Sequence, residues 1–170
     1  MRAGGSKQKG ADYERLICNK LSLWVSRGVS RDLFWRSAMS GGRATIGRRR
    51  GIELNRQAGD VCAIAPEGHA LTSQFYVECK FYHNLGLGNF ILAAGPLYEF
   101  WMQTADNARH HDRYPMLIAK QNYWPSLILV KANTLESITR PGLPLATVNW
   151  AGAICEIRKF DTLLKAEFKA

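Results

Sequence analysis

Apolar residues return along the first part of the chain with the spacing of an α-helix. Tyr13, Ile17, Leu21 and Trp24 recur every three or four positions and form one apolar stripe. This spacing predicts an amphipathic helix from residue 11 to about residue 25 that packs against a core.

Glu14 lies at the edge of this stripe, three positions before Ile17. A carboxylate that points toward a core is unfavourable unless a cation or a metal ion pairs with it. Glu14 is therefore a candidate functional acid, and a solvated helix charge is the alternative interpretation.

Short runs of apolar and β-branched residues predict a central sheet. They cover residues 34–38, 60–65, 74–81, 115–120, 127–131, 146–150 and 154–157. The turn residues PEGHA between the second and third runs predict a β-hairpin. A second amphipathic helix begins near Pro96, with Trp101 on its apolar face and Gln103 near the edge of that face. We therefore expect an α/β fold, in which a mixed central β-sheet of about four or five strands is flanked by the Glu14 and Trp101 helices.

The chain length of 170 residues fits one domain. Residues 1–10 contain three glycines and three cations and are predicted to form a flexible basic arm before a single domain of residues 11–170. Hydrophobic residues make up 46% of the chain, a fraction that excludes wholesale disorder.

Positive charge dominates the sequence, with 23 Lys and Arg against 14 Asp and Glu and a formal net charge of +9. This excess suits a polyanionic partner, because each neutralised phosphate releases condensed counterions. Charge alone does not choose among DNA, RNA and an anionic membrane surface. A Gly- and Arg-rich segment that carries Arg43, Arg48, Arg49 and Arg50 predicts either a loop that faces phosphates or a solvated charge run.

The four cysteines lie far apart in the sequence, without the spacing of a zinc site or a disulfide framework, and are expected to be reduced core thiols. No run approaches the roughly 20 apolar residues that span a bilayer. The basic N-terminus also lacks the apolar stretch of a signal peptide. We therefore expect a soluble cytoplasmic protein with no membrane partner.

The third predicted strand carries the strongest chemical signal. Because strand side chains alternate, Tyr76, Glu78 and Lys80 share one face and apolar residues occupy the other. Asp60 opens the preceding strand, and a hairpin would bring it close to Glu78. Two carboxylates and an ammonium would then converge near Glu14.

Such a cluster has the groups that phosphodiester hydrolysis needs. Carboxylates hold Mg²⁺ or Mn²⁺ together with waters and phosphate oxygens, and a bound metal polarises the phosphoryl group and lowers the pKa of a water. We expect Lys80 to act electrostatically rather than as a general base, because neighbouring carboxylates keep it protonated.

An Asp at a strand start, followed by Glu-x-Lys in the next strand, resembles the PD-(D/E)xK nuclease superfamily and, within it, archaeal and phage Holliday-junction resolvases. The similar segments are Glu14 within KGADYER, Arg36-Ser37, Ser40-Gly41-Gly42, Asp60, Glu78-Cys79-Lys80, Trp101-Met102-Gln103, and PMLIAK with its final Lys120. The likeness covers roughly residues 7–130. Gly59 departs from the pattern because it replaces the signature Pro, a change expected to matter little. Residues 43–56 also form a longer stretch than archaeal resolvases carry, which leaves the four-way junction open as the substrate.

The resemblance implies a role for each matching residue. Asp60 and Glu78 would bind the metal, with the backbone carbonyl of Cys79 completing the site and Glu14 as an outer or water-mediated contact. Lys80 would be the catalytic lysine, and Gln103 would position substrate or water. The candidate DNA contacts are Lys7, Lys9, Arg36, Ser37, Arg43, Arg48, Arg49, Arg50 and Lys120.

The resemblance further implies a restriction-endonuclease-like fold and a homodimer that cuts DNA, with branched DNA as a candidate substrate, in recombination or repair in a prokaryotic cell or a phage-infected host. Three alternatives have other consequences. A DNA-binding protein could keep the fold without useful catalysis, a restriction-type nuclease would cut duplex DNA, and an RNA-binding module would show no metal dependence.

Overall fold

A computed structural model describes residues 5–37, 58–150 and 153–169 of the chain. The candidate DNA contacts Arg43, Arg48, Arg49 and Arg50 lie outside these described residues.

The described residues contain five α-helices and seven β-strands. The helices are α1 (Gly5–Val25), α2 (His69–Thr72), α3 (Leu87–Ile91), α4 (Gly95–His110) and α5 (Phe160–Leu163). The strands are β1 (Phe34–Arg36), β2 (Val61–Ala63), β3 (Phe75–Tyr82), β4 (Tyr114–Gln121), β5 (Leu127–Lys131), β6 (Ala146–Trp150) and β7 (Ala153–Lys159). Two short 3₁₀ helices cover Pro66–Gly68 and Thr134–Ser137.

Helix α1 begins at Gly5, six residues before the predicted helix start. Residues 5–10 are thus helical and do not belong to a flexible arm, so that part of the prediction is wrong. Lys7, Gln8, Lys9 and Ala11 are good helix formers, and the Gln8 amide also donates to Asp12 one turn later (2.9 Å).

The central sheet has five strands in the order β3-β4-β5-β7-β6. Strand β3 pairs with β4 in parallel, and the remaining neighbours are antiparallel. The prediction of a mixed sheet flanked by helices is confirmed. Among the described strands, none of this sheet pairs with the outer edge of β3, and the candidate site lies along that edge.

The predicted hairpin between residues 60–65 and 74–81 is wrong. Strand β2 pairs with β1 in a separate two-stranded ladder, and β3 pairs with β4 across the α4 crossover. The segment between β2 and β3 is helical, because Pro66 suits the first turn of a helix and α2 follows it directly.

Side-chain alternation divides the core into two layers on opposite faces of the sheet. Ile17 and Leu21 of α1 pack with Ile118 and neighbouring residues on one face. Leu97 and Trp101 of α4 pack against the residues of the opposite face. The Glu14 and Trp101 helices therefore flank the sheet as predicted, and α4 covers the face that bears Glu78 and Lys80.

All four cysteines are buried and free, in agreement with the prediction of core thiols. No helix in the described ranges has both the length and the apolarity that a membrane span needs.

Candidate active site

Asp60 is attached to the free edge of β3 by backbone hydrogen bonds. Its N–H donates to the Val77 carbonyl (2.8 Å), and its own carbonyl accepts from the Ser37 N–H (2.9 Å). Its carboxylate oxygen Oδ2 accepts from the Cys79 N–H (2.8 Å). These bonds hold a buried carboxylate beside the middle of β3, although Asp60 belongs to neither ladder.

Gly59 permits this close approach. It adopts a φ of +84°, and a Cβ at this position would lie 2.5 Å from the Val77 carbonyl oxygen. Proline cannot adopt that φ, and a larger residue would collide with the backbone. The replacement of the signature Pro therefore does matter, contrary to the sequence-based expectation.

Glu78 and Lys80 project from β3 toward α4 and bond to each other. The Lys80 Nζ atom lies 2.7 Å from Glu78 Oε1, and both side chains are largely buried. The Lys80 ammonium also lies 5.6 Å from the centre of the Phe100 ring of α4. The predicted alternation along this strand is confirmed, because Tyr76 of the same face packs with Ala108 of α4.

The pKa of Asp60 reflects its burial and the charges of its neighbours. Burial and repulsion from Glu78, with a smaller effect from Glu14, raise the pKa of Asp60 to about 8. The Cys79 N–H and the Lys80 ammonium act in the opposite direction. Without a metal ion at this site, the raised pKa favours the protonated form of Asp60 near neutral pH even with Lys80 nearby.

Lys80 stays protonated in the same environment. Burial alone would lower the pKa of its ammonium, but the carboxylates of Glu78 and Asp60 outweigh burial and raise that pKa above its ordinary value. A lysine in this state donates hydrogen bonds and cannot accept a proton.

Glu14 points inward, as one of the two sequence interpretations expected, and its side chain is 14% exposed. Its Oε2 atom accepts a hydrogen bond from Arg36 Nε (2.9 Å). Arg36 was predicted to contact DNA, and in this structure its guanidinium binds a carboxylate. The pairing explains how an acid is tolerated on the buried side of α1.

The donor atoms fit a divalent metal ion such as Mg²⁺ or Mn²⁺. In an extended strand the N–H and C=O of one residue point to the same edge, so the Cys79 carbonyl faces Asp60 as its N–H does. Two carboxylates and one carbonyl are hard oxygen donors, and Mg²⁺ usually takes one or two carboxylates with waters. Within the described ranges, no three His, Cys, Asp or Glu side chains are arranged to hold a metal.

Two predicted substrate contacts lie in unexpected environments. Ser37 is buried, its N–H donates to Asp60, and its hydroxyl interacts with Cys62, so it supports the site from inside. Lys120 pairs in register with Phe81 and lies 6.0 Å from that ring, on the face of the sheet opposite Lys80.

The remaining predicted contacts that fall within the described residues lie on helices. Lys9 is exposed on α1, and Lys7 belongs to the same helix. Gln103 is exposed on α4, not at the edge of the buried face as predicted.

Sequence reasoning missed Phe100 and Tyr82 as neighbours of Lys80. The Tyr82 and Phe100 rings lie 5.4 Å apart in an edge-to-face arrangement. Strand alternation places Tyr82 on the face of Lys80, and this signal could have found it. No such signal pointed to Phe100. Its apolar side chain is what the buried face of the second predicted helix requires, so nothing marked it as a neighbour of Lys80.

A family of proteins described as phage putative PDDEXK endonucleases matches residues 5–168 of this chain. No curated protein and no solved structure matches the chain significantly.

Proposed function

The chain belongs to this family of phage putative PDDEXK endonucleases, and from that premise we propose that it is a metal-dependent deoxyribonuclease that hydrolyses phosphodiester bonds beside Asp60, Glu78 and Lys80. The observation that carries this proposal is the attachment of the Asp60 carboxylate to β3. Its bond from the Cys79 N–H places it between Glu78 and Lys80 along the strand.

We propose that Asp60, Glu78 and the Cys79 carbonyl hold the metal ion, which is Mg²⁺ or Mn²⁺. PDDEXK nucleases generally use divalent metals, and the three oxygen donors suit such ions. When bound, the metal polarises the phosphoryl group and lowers the pKa of a coordinated water. A cation also relieves the repulsion that Glu78 exerts on Asp60.

Lys80 supplies positive charge and hydrogen bonds to the reacting group. Its ammonium is held by Glu78 against the Phe100 ring, so it reaches the substrate in a defined position. Because it stays protonated, it orients the attacking water or stabilises charge on the phosphate oxygens, and another group must accept the proton. Glu14, held by Arg36, acts on this site from its outer side.

The net charge of +9 supports DNA as the substrate, because each phosphate contact adds counterion release.

Preference for branched DNA and assembly as a homodimer rest on the resemblance to resolvases, which must cut two strands symmetrically. Light scattering of the purified protein tests the dimer, and a single protomer mass at micromolar concentration would contradict it.

The principal alternative is a DNA-binding protein of the same fold that lacks useful catalysis. The retention of two carboxylates and a lysine around one backbone segment argues against it, since DNA binding alone does not require the cost of burying Asp60. An RNA-binding module would need no metal site. The cleavage assay described next distinguishes this alternative, because such a module would cleave no substrate in Mg²⁺ or Mn²⁺.

The test is cleavage of labelled four-way junctions, linear duplex, single strands and RNA, each with Mg²⁺, Mn²⁺ or EDTA. Asp60→Ala and Lys80→Ala should lower the cleavage rate by on the order of 10²–10³-fold or more while DNA binding persists. Asp106→Ala, which removes an exposed acid of α4, is the control and should cut normally. If both site variants bind DNA and still cleave like the wild type, the assigned site is wrong.

A further inference from the structure

Beyond Lys80, strand β3 ends in a cluster of aromatic side chains that is open to solvent. This strand-end aromatic cluster consists of Tyr82, His83 and Phe100. The rings of Tyr82 and His83 lie 4.6 Å apart, and Tyr82 meets Phe100 edge to face. His83 is exposed, and 37% of the Tyr82 surface is accessible.

The cluster lies directly beside the catalytic lysine. Lys80 and Tyr82 are on the same face of β3 and both contact the Phe100 ring. They are two residues apart, which is about 7 Å along a strand. A nucleotide whose phosphate lies at Lys80 therefore has its neighbouring base within reach of Tyr82.

Further exposed aromatic residues lie at the same end of the sheet. Tyr82 pairs in register with Gln121, the last residue of β4. The turn that follows β4 carries Tyr123, which is fully exposed, and Trp124, which is half-exposed. Lys80, over the Phe100 ring, supplies the cation next to the cluster. Exposed rings combined with cations are typical of surfaces that bind single-stranded nucleic acid, where bases stack on the rings and cations contact the backbone.

We propose that the strand-end aromatic cluster stacks on an unpaired base next to the cleaved phosphate. The substrate class is then DNA with unpaired nucleotides at the cutting point, such as a single strand, a fork or an open branch point. In a continuous duplex both faces of each base are already stacked on neighbours, so the cluster has no ring face to bind. This proposal rests on the proposed function, because it takes the phosphate to lie at Lys80.

The test compares binding of a forked DNA with single-stranded arms and a fully paired duplex of the same length, in EDTA so that no cleavage occurs. Tyr82→Leu, which keeps an apolar contact with Phe100 but removes the ring, should weaken binding of the fork about tenfold. Tyr82→Phe should bind the fork within about twofold of the wild type, and duplex binding should change for neither variant.

Tyr114→Leu is the matched control. Tyr114 is also a partly exposed strand tyrosine that packs on a phenylalanine, Phe75, but it lies at the opposite end of the sheet. The Tyr114→Leu variant should bind the fork like the wild type. Equal loss of fork and duplex binding in Tyr82→Leu, or no loss on the fork, would overturn the proposal.

A second measurement uses the wild-type protein and does not depend on the folding of a variant. A fork with 5-iododeoxyuridine in its unpaired arm next to the branch is irradiated in the complex, and the cross-linked peptide is identified by mass spectrometry. We expect the cross-link at Tyr82 or His83, and cross-links confined to other surfaces would contradict the proposal. Because both measurements are made without metal, a protein that does not cleave DNA would refute the nuclease function while leaving the result on stacking readable.

Discussion

Two strands of the same sheet carry nearly the same short pattern, Glu78-Cys79-Lys80 on β3 and Glu156-Ile157-Arg158 on β7. Each glutamate binds the cation two residues later at 2.7 Å, and each pair is largely buried. The surroundings differ. Arg158 also donates to the carbonyls of Pro141 and Gly142, and β7 lies between two other strands.

A Glu-x-cation pattern on a strand is therefore not by itself a sign of catalysis. The Glu156–Arg158 pair uses its donors to hold a loop of its own chain, and it lies on the α1 side of the sheet, opposite Lys80. The Glu78–Lys80 pair lies on an edge strand, where Asp60 can approach the backbone from outside the sheet. Of the four predictions below, the first two distinguish a functional pair from a structural one. The other two concern the approach of Asp60 to β3.

The largest effect is expected from removing the cation of the β3 pair. Lys80→Met should lower kcat by on the order of 10²–10³-fold, because positive charge is lost where charge develops on the phosphate. The thermal midpoint Tm should fall less than in the corresponding β7 variant. Steady-state cleavage kinetics and circular dichroism measure the two quantities, and a stable variant with wild-type kcat would refute the role of Lys80.

Removal of the β7 cation should have the opposite profile. Arg158→Met leaves Glu156 without its partner in a buried position and should cost about 3–5 kcal/mol of unfolding free energy. Cleavage per folded molecule should stay at the wild-type level. Urea unfolding at 10 °C and active-site titration with a tight-binding DNA provide the measurements. A fall in kcat as large as that of Lys80→Met would mean that the two pairs do not differ in function.

The next effect concerns the approach of Asp60 to β3. Gly59→Ala places a Cβ against the Val77 carbonyl at a positive φ and should cost about 1–3 kcal/mol, with weaker metal binding. Gly88→Ala is the matched control, because a Cβ there meets no atom within 4 Å and Gly88 lies in helix α3. Differential scanning calorimetry measures the stability of the two variants, and Mn²⁺ titration measures their metal affinity. Equal stability of the two variants would contradict the tight approach at Gly59.

The last effect is the pH dependence of metal binding. Because the pKa of Asp60 is raised to about 8 by burial and by Glu78, metal must displace a proton below this pH. Mn²⁺ affinity should therefore rise about tenfold per pH unit from pH 6 and level off above about pH 8. The metal-free fold should change in the other direction, losing stability as the pH rises through that pKa, since the folded state holds this proton more tightly than the unfolded chain does.

Calorimetric titration at several pH values measures the Mn²⁺ affinity. The pH dependence of Tm in the metal-free wild type is compared with that of Asp60→Asn, which has no ionisable group at this position. Affinity that stays constant between pH 6 and pH 8 would show that Asp60 is already ionised in the free protein. A metal-free Asp60→Asn protein whose Tm follows the wild-type pH profile would lead to the same conclusion.

Local patterns predicted much of the secondary structure. The strands at 127–131 and 146–150 have the predicted bounds, and the second helix has Pro96 in its first turn as expected. These elements bury one stripe or one face, so their periodicity is visible in the sequence. The hairpin prediction was wrong because β3 is flanked by a crossover helix, and a turn pattern says nothing about which strand becomes the neighbour in space.

Local patterns in the sequence were enough to predict that Glu78 and Lys80 share a face and that the chain is strongly basic, and they placed Glu14 at the edge of the apolar stripe of α1. Side-chain alternation and helical spacing are local properties, and they do not depend on the rest of the fold.

The tertiary structure was needed to show how Asp60 meets the Glu78–Lys80 pair, because the hairpin from which the sequence predicted this approach does not form. Asp60 reaches β3 through hydrogen bonds to Val77 and Cys79, which lie 17 and 19 positions later in the chain. That contact needs an unpaired strand edge and a glycine whose missing side chain lets two backbones touch. Both conditions arise from long-range packing, so no short pattern of residues can express them.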